Sequence, residues 1–509
     1  MTRAGLKGTQ PRPRGEQPVP VTSRVSRSSL RSSQRLSALA LAGLYLAVTS
    51  GHMSSMDGLY MVRQAYAFVF DHSIQFQMPV WTWRPEPTWN SMYGIGLSLL
   101  YVPGIFLSTA LRSWVPVSVD PPADLYAFYL RELYQDPLYT VGASWVHVLV
   151  VAMAAYLVAR LITELGGSPR AALWGMAFYG LGSSALVYSR GDFAQPLEGL
   201  CWTAAVLAAV RFRATGSQAA LRVCSAAVAY AILTRPFEGM LLAPVTVALL
   251  LPVGGVSRWS ADTLKPLFTL SGGVLAGVAV TLFVNQVRFS DALRFGYDAD
   301  NTWVTPSLER WAGALVSPGR GILWEFPAVV LVPLGVVALV RASRTREVVA
   351  VLIPSGALLA NTVAWYMWWG GWCWGLRLFG PAIPLLAIVA GAGIDSLKGE
   401  VRRWLPRVLL VLGFVWALPG VVTDILGGFG DLGDGNVWRL AAYPPYGAWQ
   451  FLDRIFAESF QDAGAVDILW FRLAHLTDGW SLCVPLALLG MSSVLVKRSV
   501  GYFRETQPD

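Results

Sequence analysis

The chain has 509 residues, of which 54% are apolar and 14% charged, and its mean hydropathy is +0.49. Soluble domains carry about 25% charged residues, so this composition argues against a soluble enzyme and for a helical membrane protein. The net charge is +8, but the basic residues sit in the N-terminal tail and in short loops between apolar runs. That placement reads as membrane topology and speaks against a surface that tracks nucleic-acid phosphates. The four cysteines, Cys201, Cys224, Cys373 and Cys483, and the four histidines, His52, His72, His147 and His475, are dispersed. They show no metal-ligand or disulfide spacing.

Residues 1–34 are rich in Arg, Ser, Pro and Gly without an apolar period, and are expected to be a disordered cytoplasmic tail. The series Arg24, Arg27, Arg31 and Arg35 leads into a first span at 36–50 with no convincing cleavage site after it, so the span is expected to be retained with its positive side in the cytoplasm. Further spans are expected near 139–160, 171–188, 197–210, 219–234, 237–253, 266–285, 322–340, 348–366, 377–394, 407–425 and 480–496. A hydrocarbon core of about 30 Å asks for about 20 residues per helix, so the shorter runs have soft boundaries.

Residues 93–111 decide the topology. If they crossed, Arg160, Arg170, Arg211, Arg213, Arg258, Lys265, Arg341, Arg344, Arg346, Arg402, Arg403 and Arg407 would all face outward. If they lie along or re-enter the membrane, these residues fall in the cytoplasm together with Lys497 and Arg498. The charge pattern therefore favours a juxtamembrane or re-entrant helix, which Gly94, Gly96, Pro103 and Gly104 suit, and about twelve spans in all. Residues 35–425 then form the transmembrane core, 426–479 an extracytoplasmic loop or cap, and 480–509 the last span and a cytoplasmic tail. Three long loops, 51–138, 286–321 and 426–479, lie outside with the turns around Asp192, Arg235 and Trp368–Trp374. Long loops on one face are where function concentrates. Arg far outnumbers Lys, as in GC-rich bacterial genomes, so the expected location is a bacterial plasma membrane.

Four groups on that face could carry chemistry. Asp57, in GHMSSMDGLYMVRQAY, sits just after the first span, where a carboxylate suits a general base; taken alone, it reads more simply as a helix N-cap. Asp192 and Glu198 lie in YSRGDFAQPLEG, Glu198 just inside an apolar run, where an ionisable residue is costly and often functional. A solvated turn and an ion pair of Glu198 with Arg190 or Arg235 would explain them equally. Arg190, Arg235 in LTRPFEG, Arg320 in SPGRG and Arg377 in WGLRLFGP stand at outer boundaries against the positive-inside trend. A guanidinium fork matches phosphate, while snorkelling or ion pairing is the plainer account of any single one. Finally, WYMWWGGWCWG, with Trp372 at its centre, can stack on a sugar or a lipid chain, or belong to an interfacial aromatic belt.

The order of these motifs resembles that of the GT-C superfamily of polytopic glycosyltransferases, in particular bacterial proteins of the protein O-mannosyltransferase and aminoarabinose-transferase group. The resemblance runs from residue 36 to about 395. It rests on Asp57 after the first span, MYGIGLSLLYVPGIF, YSR…QPLEG, TRPFEGMLLAP, VRFSDALRFGYDADN, LVSPGRGILWEFPAVVLVPL and WWGGWCWGLRLFGPAIPLL.

It implies an all-α, GT-C-like membrane protein with juxtamembrane helices in the first loop. The activity implied is inverting transfer of a sugar from a polyprenyl-phosphate donor to a hydroxyl of a glycan, lipid or protein acceptor. Asp57 would be the base, Arg320 and Arg377 the phosphate contacts, and Glu198 or Asp192 contacts to sugar or acceptor hydroxyls. No organic cofactor and no nucleic acid are implied, and the need for a divalent metal stays open. Two positions depart from the family pattern. Asp57 is followed by Gly58 where many relatives have Glu, and Gln195 stands where relatives tend to carry an acid, with Glu198 one helical turn on. A transporter or flippase also suits twelve spans, but the chain shows no convincing internal repeat; a non-catalytic GT-C-like protein is the third reading.

Overall fold

The computed structural model describes residues 27–75, 90–113, 138–251, 261–296, 303–423, 435–449, 466–474 and 477–504. Expectations placed on 1–26, and on half of 426–479, lie outside the described residues. Within them the chain is helical, and its only pairings of β type are two isolated bridges, Trp303 with Trp365 and Thr423 with Val466.

The helices in chain order are α1 (Arg27–Ala47), α2 (Met56–Tyr66), α3 (Gly96–Arg112), α4 (Val141–Glu164), α5 (Pro169–Gly180), α6 (Ala185–Tyr188), α7 (Gln195–Thr215), α8 (Gln218–Thr234), α9 (Pro236–Leu250) and α10 (Ala261–Phe289). They continue with α11 (Leu308–Val316), α12 (Ile322–Glu325), α13 (Val332–Arg341), α14 (Thr345–Ala364), α15 (Ile383–Gly393), α16 (Gly399–Val422), α17 (Pro444–Trp449), α18 (Leu469–Ala474) and α19 (Cys483–Arg504).

Local chemistry sets many of the starts. Ser168 and Ser217 cap α5 and α8 by accepting from the backbone N–H three residues on, and a proline occupies the first turn of α5, α7 and α9, where its missing N–H costs nothing. Residues 27–34, grouped with the tail from their composition, belong to α1. Their polar side chains have partners in other helices: Gln34 Nε2 donates to Thr163 Oγ1 at 2.8 Å and Ser33 shares a hydrogen bond of 2.7 Å with Ser499.

Six helices among the described residues are long and apolar enough to cross a membrane: Val141–Glu164, Leu264–Phe289, Thr345–Ala364, Arg377–Ser396, Gly399–Val422 and Trp480–Gly501. Four shorter apolar helices accompany them. Length and hydropathy thus account for six of the twelve expected spans. Two of the other expected spans are broken helices. Run 171–188 divides into α5 and α6, and run 322–340 into α12, a 3-10 turn over Pro327–Leu331, and α13.

The core is built around α15, whose every residue is buried, as expected of a helix apolar on all sides. Around it α1 packs on α19 and α4, α4 on α5 and α7, α7 on α8, and α8 on α9 and α10.

The two ends of the bundle differ. At one end, the start of α1 and the end of α19 meet, and Glu164 pairs with Arg160 and Arg211 while Glu347 pairs with Arg213. Ser168 and Asp395 join the loops there. At the other end, Thr49 bonds Ser144, Ser144 donates to the Arg190 carbonyl, and Arg190 reaches the end of α16. Helix α3 lies across this second end. Gly94 and Gly96 rest on Leu233 and Thr234, Gly104 rests on Gly142, and Ser108 accepts from the Gly142 N–H. Its contacts thus fall in the turns of α8 and α4 nearest this end, with Tyr101 reaching as far as His147, the placement that the charge pattern favoured. A Cβ at Gly142 would overlap the Gly104 carbonyl. Gly142→Val is expected to cost about 1–3 kcal/mol by overpacking, read as a lower melting temperature in detergent or nanodiscs; an unchanged value would mean that α3 is not seated on α4.

Candidate active site

Asp57 is the second residue of α2, and the cap of that helix is Ser55, whose Oγ accepts from Gly58 N at 3.0 Å. The carboxylate is thereby spared for another partner. It meets Arg377, whose Nη1 donates to Asp57 Oδ2 at 2.6 Å.

The turn before Asp57 is fixed by the segment 188–195. Asp192, in the left-handed region at φ 88°, accepts from the Ser55 N–H through Oδ1 at 2.8 Å. Gly58 is explained by the same contact, because a Cβ there would stand 2.8 Å from Asp192 Oδ1 and 3.1 Å from its Cα. A glutamate after the aspartate would force the two segments apart.

Arg377 is placed by the Trp- and Gly-rich segment 365–377, whose backbone is held by buried side chains from elsewhere. Arg320 Nε donates to the Trp369 carbonyl at 2.8 Å and its Nη2 to that of Gly371 at 2.9 Å. Glu325 accepts from the Leu376 N–H at 2.7 Å and from Ser184 Oγ. Tyr188 accepts from the Trp374 N–H at 3.1 Å and donates to the Trp374 carbonyl. At the end of this segment the Arg377 guanidinium lies 4.3 Å over the Phe193 ring, a cation–π contact that fixes its plane.

Asp57 and Arg377 open into a cavity of about 320 Å³ at this end of the bundle, within the size range of small-molecule sites. Its charged lining consists of Asp57 and Glu238 against Arg235, Arg288 and Arg377, and an aromatic wall includes Phe237, Phe295, Trp303 and Trp365. Arg235 pairs with Glu238 and lies 3.4 Å from Glu198. Arg288 is bound only to neutral acceptors that it reaches at 2.8 Å each, the Tyr93 carbonyl and Gln64 Oε1. Among the described residues no carboxylate pairs with it. Among the described residues Arg288 is therefore the cation of the lining that has no acid partner, while Arg377 pairs with Asp57 and Arg235 with Glu198 and Glu238. Among the described residues no group of three or more His, Cys, Asp or Glu is arranged to hold a metal ion.

Of the residues singled out from sequence, Asp57, Arg235 and Arg377 line this cavity. Glu198 stands behind Arg235, wholly buried. Arg190, Asp192 and Arg320 are buried supports. Arg190 donates through Nη1 to the carbonyls of Gly420 (2.6 Å) and Thr423 (3.1 Å), and through Nη2 to Asp467 Oδ2 at 2.8 Å. Arg320 spends its donors on the loop beside Arg377 and is 1% exposed, which takes it away from the phosphate role implied by the resemblance. Trp372 is 52% exposed and does not line the cavity. Two cavity residues were missed, Arg288 and Glu238. Both carry a signal in the sequence: Arg288 ends a long apolar run at the same face as the other boundary arginines, and Glu238 follows Arg235 by three positions at the start of a helix.

Fold and site together define a multi-pass helical membrane protein with a charged cavity at one end of its bundle. No protein-family model matches the chain and no curated protein matches it. Among solved structures it is similar to ArnT from Cupriavidus metallidurans in the apo state, with 16% identity, a TM-score of 0.46 and coverage of 91% of this chain and 76% of that one. The structure of the same ArnT bound to undecaprenyl phosphate gives 14%, 0.48, 91% and 76%. The oligosaccharyltransferase of Archaeoglobus fulgidus in the apo form gives 11%, 0.44, 90% and 60%.

Proposed function

We propose that the protein is a GT-C-type membrane glycosyltransferase that moves a sugar from a polyprenyl-phosphate donor to an acceptor hydroxyl, with inversion, at the extracytoplasmic face of a bacterial plasma membrane. Both termini are cytoplasmic in this reading. The observation that carries it is a carboxylate, Asp57, in one cavity with Arg377 and with Arg288, which has no carboxylate partner among the described residues, at the loop-bearing end of the bundle. A lipid-linked donor leaves its isoprenoid chain in the bilayer and presents phosphate and sugar at the surface, which is where such a cavity is needed. A transporter site would be expected nearer the middle of the bundle.

In this scheme Arg288 and Arg377 hold the donor phosphate. The acceptor hydroxyl gives its proton to Asp57 while its oxygen attacks the anomeric carbon from the face opposite the phosphate. The bond from the anomeric carbon to the phosphate oxygen breaks, and polyprenyl phosphate leaves with the electron pair. The arginines stabilise the charge as it develops, and holding both reactants in line supplies much of the rate. Arg235 and Glu238 stand beside the aromatic wall, in reach of saccharide hydroxyls. Arg190, Asp192 and Arg320 act as positioning residues, with Glu198 holding Arg235.

The test is a comparative glycan and glycolipid profile of a strain without the gene and of the same strain complemented. A single saccharide modification missing from the first and restored in the second is expected. Identical profiles would overturn the reading.

A further inference from the structure

Arg377 is asked for two things that one guanidinium cannot give at full strength together. In the structure it donates to Asp57 Oδ2 at 2.6 Å, with its plane 4.3 Å over Phe193. In the proposed reaction it must face the donor phosphate, and the Asp57 carboxylate must be relieved of its counter-charge to draw the proton of the acceptor hydroxyl. Both side chains are mostly enclosed, at 15% and 21% exposed, so the pair is shielded from the water that weakens surface ion pairs. The resting cavity therefore holds its base in an ion pair through Oδ2, with the negative charge that would draw the acceptor proton already met by a guanidinium. The neighbouring cations do not change this, because Arg235 is engaged with Glu198 and Glu238 and Arg288 is anchored on Tyr93 and Gln64.

We propose that the donor phosphate frees the base: it takes Arg377 from Asp57, so that Asp57 can accept a proton only after the lipid-linked donor has bound. This rests on the transferase reading above and adds an order of binding to it, donor before acceptor. A phosphate competes well for the guanidinium because it offers two oxygens to the planar fork. Arg288, already in place and without a carboxylate partner among the described residues, provides the first contact. When the leaving polyprenyl phosphate departs, Arg377 returns to Asp57 and the site is reset. A cavity without donor then presents the acceptor with a carboxylate whose charge is held by Arg377, and a bound acceptor alone is not deprotonated.

The consequence is contrary to the usual effect of removing a site residue. Asp57 competes with the lipid phosphate for Arg377, so its loss strengthens lipid binding. The measurement is the affinity of purified protein in nanodiscs for undecaprenyl phosphate, with chelator present, for wild type, Asp57→Asn, Arg377→Gln and the double variant. Asp57→Asn is expected to bind about tenfold more tightly than wild type, and in the Arg377→Gln background the same substitution is expected to change binding by less than about twofold. If Arg377→Gln does not fold, Arg377→Met keeps the volume over Phe193 and serves in its place. An affinity unchanged or weakened by Asp57→Asn would overturn the proposal. So would a tenfold gain that persists without Arg377, since that is simple charge repulsion. If wild type binds no undecaprenyl phosphate, the lipid-phosphate reading itself falls and the binding order falls with it; if wild type binds and the cycle shows no coupling, only the order is lost.

Discussion

Asp57→Asn is expected to lower glycosyl transfer by about 10²–10⁴-fold, the usual worth of a positioned general base, with no loss of fold. Asn matches Asp in shape, and its side-chain oxygen can still accept the Arg377 N–H that the carboxylate accepts at 2.6 Å. The capping of α2 is untouched, because Ser55 performs it. What is lost is the ability to take a proton from the acceptor. The loss is expected in kcat, while the apparent affinity for donor is preserved or improved. Turnover close to wild type in a protein of unchanged melting temperature would remove Asp57 from the chemistry.

The second large effect is on stability. Asp467 sits where an imidazole and two guanidinium groups converge: His52 Nε2 at 2.7 Å, Arg190 Nη2 at 2.8 Å and Arg472 Nε at 3.8 Å. Arg472 also donates to the Ser50 carbonyl, and the Asp467 N–H donates to the Val422 carbonyl at 2.7 Å. This cluster fastens the chain at 466–474 to the segment 50–55, which leads into Asp57, and to the end of α16. Removing one partner of a buried ionic cluster leaves the others without compensation, at a cost of about 3–5 kcal/mol. Asp467→Ala is expected to lower the unfolding midpoint accordingly and to reduce activity by loosening the turn before Asp57. A midpoint within error of wild type would show the cluster to be dispensable.

The same carboxylate predicts a pH response. Burial alone would push the Asp467 carboxyl up, but His52, Arg190 and Arg472 outweigh burial and hold it well below the usual carboxylate range. The folded state thus binds a proton less readily than the unfolded one. Its stabilisation is complete above the unfolded value of about 3.9 and is lost as pH falls below it. Wild type is expected to lose unfolding free energy steadily below about pH 4, and Asp467→Asn to flatten that part of the profile. Equal slopes in both proteins would assign the acid sensitivity to other groups.

The architecture was legible because it depends on quantities that a sequence displays openly. Apolar runs mark helices, and the basic loops assign each helix end to a side, which is why the horizontal placement of α3 could be anticipated from residues 93–111. Asp57, Arg235 and Arg377 were legible for the same reason, as charges at the end of apolar runs on one face. Arg190 and Arg320 carry the identical signal and serve differently. Their partners are mainly backbone carbonyls at Gly420, Thr423, Trp369 and Gly371, and every residue has a carbonyl, so no residue type at those positions advertises the bond. The helix breaks of 181–184 and 326–331 carry Gly182, Ser183, Ser184 and Pro327, but the apolar stretches on both sides made each run read as one span. Gly58 looked like a departure from a motif, and only the approach of Asp192 in space shows what it permits.

The loop over residues 365–377 owes its path to the side chains of Arg320, Glu325 and Tyr188, which grip its main chain. The side chain of Trp372, 52% exposed, takes no part in that grip. The path of the loop is therefore encoded largely outside it, in Tyr188, Arg320 and Glu325. A change of side chain at position 372 leaves the bonds that aim Arg377 at Asp57 untouched, and this exposed position can drift in sequence without disturbing the pair.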